Sequence, residues 1–72
     1  MKKIDYGSLV KISEKAPAKY KPSLFGSVCG HRLIEDEEDA SKFKVSIGTN
    51  VWLVEIADGT AYEIPEQYLT GI

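Results

Sequence analysis

The sequence predicts an all-β domain whose five short strands roll into a small barrel or a tight two-sheet sandwich. Two patterns carry the prediction. Runs rich in β-branched and aromatic residues recur at 9–13, 24–34, 51–56, 60–64 and 69–72, and turn formers separate them: Gly7-Ser8, Pro17, Pro22, Gly48, Asp58-Gly59 and Pro65. Length adds a third constraint. At 72 residues and 8.0 kDa a chain buries only about 60% of the surface it exposes when unfolded. Residues 1–72 therefore make one domain with no room for a second.

Each element follows from its residues. In 9–13 (LVKIS) Val10 and Ile12 share one face and Lys11 and Ser13 the other, the period-2 signature of a half-buried strand. Residues 14–23 carry Lys15, Lys19, Lys21, Tyr20 and two prolines. The prolines block a stable helix, so this is a basic loop of about ten residues, a length at which loops are commonly functional. Residues 24–34 (LFGSVCGHRLI) form a strongly curved second strand, with Gly26 and Gly30 placed where a strand bends or admits a neighbouring backbone.

The run Glu35, Asp36, Glu37, Glu38, Asp39 follows, five adjacent carboxylates whose mutual repulsion keeps them in water as an acidic loop. Glu35 or Asp36 is placed to cap a single helical turn through Ala40 to Phe43. Residues 51–56 (VWLVEI) are apolar on both faces apart from Glu55, as expected of a central strand in a covered sheet. Asp58-Gly59 is a strong hairpin signal, because glycine takes positive φ without strain. It returns the chain as strand four over 60–64. Pro65 supplies no ladder donor and forces a turn, after which 69–72 make a fifth strand.

Composition limits the function. A core this small leaves little material for a deep catalytic cleft, so binding is expected rather than catalysis, and no cofactor is implied. The single Cys29 closes no internal disulfide, which fits a reducing compartment and an expected cytoplasmic location. Polar residues interrupt the N-terminal segment MKKIDYGSLVKIS before a signal-peptide core forms, and no apolar run approaches a membrane span. Charge divides unevenly: residues 1–34 sum to +5 and residues 35–72 to −7, giving −2 overall. In a compact fold the two halves interleave, so the main consequence is internal balance plus one acidic loop.

No constellation forces a chemistry. Cys29 and His31 lie two apart on one strand, a spacing that suits two zinc ligands, but a zinc site takes about four and only two are present. The same spacing sets their Cα atoms nearly 7 Å apart, outside the reach of a Cys–His nucleophilic pair. The acidic run lacks the D-x-D-x-D-G pattern that wraps calcium. No catalytic or metal-binding residue is assigned. Trp52 shares a face with Val54 and Ile56 and is expected in the core. Tyr6, Tyr20, Tyr62, Tyr68, Phe25 and Phe43 are too many aromatics for so small a core, so some reach the surface. There, beside Lys19, Lys21 and Arg32, they suit a protein or a stacked base.

Residues 60–72, T-A-Y-E-I-P-E-Q-Y-L-T-G-I, resemble the end of a Src-homology-3-like barrel: a strand, Ile-Pro, a helical turn closing on Tyr-Leu, and a last short strand. G-S-L-V-K-I at 7–12 is similar to the first strand of such barrels, among them the KOW-type nucleic-acid modules and a small accessory protein of photosystem I. Gly26-x-Val28 resembles their second strand. The resemblance implies a five-stranded barrel with a 3-10 turn before strand five, to which the residues themselves add one short helical turn between strands two and three. The chain departs from peptide-binding members, carrying KISEKAPAKYKPS in place of an aromatic-rich ALYDY-type segment. It departs from KOW modules in its acidic excursion between strands two and three.

The expectation is a non-catalytic module that binds another protein through Lys15, Lys19, Tyr20, Lys21, Arg32 and Tyr62, as a monomer or weak homodimer. The alternative is a KOW-like barrel associated with nucleic acid or the ribosome. The net negative charge disfavours it, because phosphate neutralisation dominates such binding.

Overall fold

The structure, a computed structural model, describes residues 3–72; Met1 and Lys2, where the N-terminal segment begins, lie outside them. Five antiparallel strands form one sheet: β1 (Leu9–Ile12), β2 (Phe25–Leu33), β3 (Asn50–Ile56), β4 (Ala61–Pro65) and β5 (Leu69–Gly71). Their order is β4-β3-β2-β1-β5. The chain meanders through the first four strands, and the fifth returns beside the first. Among the described residues no ladder joins β4 to β5, so by its hydrogen bonds the sheet has two edges.

The curvature of β2 has two local causes. Register against β3 shifts between Val28 and Gly30, which leaves Cys29 in a bulge. Gly26 lets the neighbouring strand approach: a Cβ there would lie 2.5 Å from Val54 Cγ1 and 2.7 Å from the Glu55 carbonyl oxygen. β2 pairs with β1 through Phe25–Ser27 and with β3 from Gly26 to Leu33, so Gly26 and Ser27 are held between both neighbours.

The β3–β4 hairpin turns on Gly59, at φ +86°, with the Gly59 N–H donating to the Ile56 carbonyl at 3.0 Å. Asp58 Oδ1 accepts from the Thr60 N–H and hydroxyl. These bonds stabilise the carboxylate and hold Asp58 below its usual range. β4 runs one residue further than the sequence suggests, through Pro65 paired with Val51. The Ile56 N–H donates to the Thr60 carbonyl, and ladder alternation then turns the backbone of Ala61, Glu63 and Pro65 outward. A missing N–H at Pro65 therefore costs no ladder bond.

Glu37, Glu38 and Asp39 of the acidic run are helical rather than loop, while Glu35 and Asp36 precede the helix. α1 (Glu37–Phe43) is seven residues long, nearly twice the single turn expected. Asp36 is its N-cap, accepting from the Asp39 N–H at 2.8 Å. Glu37, Glu38 and Asp39 occupy the first turn, where negative charge suits the dipole. Lys44 ends it at φ +57°, and the Val45 N–H donates back to the Ala40 carbonyl at 2.9 Å.

Directly paired residues share a face, which divides the sheet into an inner and an outer side. Trp52, Val54 and Ile56 lie on the inner face with Val28, Ile64 and Gly26, and β1 adds Val10 and Ile12. These are buried side chains of the core, Gly26 apart. Val51, Leu53 and Glu55 lie on the outer face. Val51 is buried because Arg32 and Pro65 share its row and α1 covers it, with Phe43 packed into the same cluster. The covered central strand expected of VWLVEI is present. The other end of the outer face, around Glu55, carries no such cover.

Candidate binding face

The 14–23 loop is built from its prolines and two left-handed residues. Pro17 precedes a single 3-10 turn, Ala18–Tyr20. Lys21 and Ser23 follow at φ +60° and +72°, and the Ser23 N–H donates to the Ile12 carbonyl at 2.9 Å, tying the loop to β1. The turn inserts Tyr20 into the core at 5% exposure, its ring 5.7 Å from that of Tyr68. The Tyr20 hydroxyl is buried without a hydrogen-bond partner. Burial first, then the nearby Tyr68 and Glu63, push its pKa above the ordinary phenol value.

Lysines gather over these rings. Lys19 Nζ lies 5.1 Å from the Tyr20 ring centre and Lys21 Nζ 5.8 Å from that of Tyr62. Lys19, Tyr20 and Tyr62 line a cleft of about 220 Å³ together with Glu63 and, from α1, Lys42 and Phe43. Three stretches of sequence thus converge on one spot. Lys42 was not singled out from the sequence, and Phe43 only as one of several aromatics, yet a signal was present: in a helix started by Asp36, both fall in the last turn.

The other two candidates are placed differently. The Arg32 guanidinium is 5.4 Å from the Phe43 ring, beside the cleft, and is engaged by Glu63 at 2.6 Å and Asp39 at 2.8 Å. Those hydrogen bonds, Glu63 foremost, raise its pKa further above an already high value. Arg32 thereby joins β2, β4 and α1. Lys15 is exposed, and its backbone N–H donates to Ser13 Oγ; it does not line the cleft.

A wider groove of about 1050 Å³ opens at the end of the inner face, lined among others by Ile4, His31, Asn50, Trp52, Glu66 and Leu69. Trp52 is its buried wall at 8% exposure. The Tyr6 ring meets it edge-on at 6.4 Å and the His31 ring lies 4.4 Å away. His31 Nε2 is hydrogen-bonded to Asn50 Oδ1 at 2.9 Å, while Cys29 Sγ donates to the Leu53 carbonyl at 3.6 Å. Cys29 and His31 are therefore committed to separate partners. Among the described residues, no three His, Cys, Asp or Glu side chains gather as a metal site. No described helix is long and apolar enough to cross a membrane.

Comparison of the chain with protein-family profiles, with curated proteins and with solved structures returns no match.

Proposed function

We propose that this chain is a non-catalytic binding module that grips another protein with the face formed by the 14–23 loop, Tyr62 and the last turn of α1. One observation carries the reading. Lys19, Tyr20, Tyr62, Lys42 and Phe43 come from three separate segments to line one cleft; aromatic rings are what protein interfaces favour at their centres, and the flanking lysines complement an acidic rim. The partner surface that fits is an acidic one with an apolar side chain to enter the cleft. The polar groups elsewhere that suit chemistry are paired with structural partners: His31 with Asn50, and Glu66 with the Trp52 indole.

The strand order, with the fifth strand beside the first, and the 3-10 turn at Glu66–Tyr68 support a Src-homology-3-like barrel as the scaffold. The free thiol of Cys29 fits a reducing cytoplasm. Lysines beside aromatic rings also suit a nucleic acid. The carboxylate of Glu63 within the cleft and the overall charge of −2 favour protein instead.

The test compares the parent with Lys19→Glu/Lys21→Glu as baits in extract with and without nuclease treatment, after circular dichroism establishes equal folding. Proteins retained by the parent and lost by the variant are the expected result. Identical retention by both baits sinks the reading. Retention that disappears on nuclease treatment and falls steeply with salt transfers the face to nucleic acid.

A further inference from the structure

We infer that a second copy of this chain docks on the bare end of the outer face, in a two-fold, reversible pair. Leu9, Phe25 and Ile72 are 61%, 59% and 50% exposed and line one shallow groove of about 350 Å³ whose floor includes Gly26 and Ser27. The register fixes their layout. Glu55 pairs with Ser27 and Ser27 with Leu9, which makes one row across β3, β2 and β1. Phe25 pairs with Lys11 in the next row. The Ile72 N–H donates to the Leu9 carbonyl, which extends the first row.

Glu55 and Lys11 thus occupy opposite corners of the patch, with the apolar side chains between them. Turning a second copy over a two-fold axis that crosses the Glu55–Lys11 diagonal sets each Lys11 against the other copy's Glu55. The same turn brings the Leu9 and Phe25 pairs together about the axis. The patch is self-complementary in charge, as an isologous interface requires. Lys11 Nζ now rests 5.8 Å from its own Phe25 ring, within reach of that partner. These side chains expose far less than the ~800 Å² per partner that a standard stable interface buries, so the pair is weak and depends on concentration. This groove shares no lining residue with the cleft of the binding face proposed above, so the two surfaces are separate.

Sedimentation equilibrium over a concentration series up to about 1 mM, the range of weak affinities, tests the pairing. The parent should approach twice its monomer mass. Lys11→Glu and Glu55→Lys should each weaken association about tenfold, and the double swap should recover most of the loss, as expected of one charge pair measured by a mutant cycle. Phe25→Ser, at an exposed position, should abolish association with an unchanged circular dichroism spectrum. A parent that stays monomeric throughout, leaving the patch to some other occupant, overturns the inference. So does a dimer that ignores Phe25→Ser, or single charge reversals that the double swap fails to rescue.

Discussion

The Trp52 indole N–H donates to the Glu66 carboxylate at 2.8 Å, fastening the middle of β3 to the turn that leads into β5. Packing and polarity therefore meet in one side chain. Trp52→Ala is expected to cost about 3–5 kcal/mol, the range for emptying a buried aromatic site. Glu66→Ala leaves the indole and its donor without a partner and should cost about 1–3 kcal/mol, while Glu66→Gln, which keeps an acceptor, should cost less. Urea denaturation checks all three. A Glu66→Ala protein as stable as the parent would mean that the bond contributes nothing.

Tyr20 presents the opposite situation, a ring that fills the core while its hydroxyl satisfies nothing. Deleting the hydroxyl removes a desolvated group and leaves the packing, so Tyr20→Phe should match or exceed the parent stability, by up to about 1 kcal/mol. The phenol also sets a pH dependence. Its folded pKa lies above the ordinary 10.0, so its contribution to stability is complete below pH 10 and is lost as pH rises through the raised value. Titration of phenolate absorbance should show one tyrosine ionising late, and Tyr20→Phe should remove that late step.

Gly26 is required by space rather than by backbone angle. Gly26→Ala forces a methyl against Val54 Cγ1 and the Glu55 carbonyl; the backbone oxygen cannot move aside as a side chain can. The expected cost is about 1–3 kcal/mol, typical of overpacking. Gly30→Ala, whose new Cβ would meet Leu53 at 3.1 Å, should cost less. Thermal unfolding of the two variants ranks them, and equal midpoints would count against the close approach of β2 and β3.

Much of this architecture could be read from the residues because local and long-range demands agreed. Alternating Val10 and Ile12, the apolar stretch 51–56 and Asp58-Gly59 each satisfy a local preference that the sheet also needs. Where the residues alone misled, the deciding term was tertiary. Five consecutive acids look like a solvated loop until Asp36 caps the first turn and Phe43 has a core to enter. Pro65 ends a strand only if its missing N–H faces another strand, and here it faces away from β3. The candidate binding residues were partly legible: loop position suggested Lys19, Tyr20 and Lys21. Nothing in residues 30–34 tells that Arg32 is occupied by Glu63 and Asp39, since that depends on how β4 and α1 are placed.

The pairing of Val10 with Gly71 has a kinetic consequence. β1 is flanked by β2 and by β5, the last of the five strands in chain order, so a nascent chain cannot complete the sheet until synthesis has passed β5. Until then β1 has an unfilled side, open to strands from neighbouring molecules. Closing so long a loop also places this domain among the slower folders of its size.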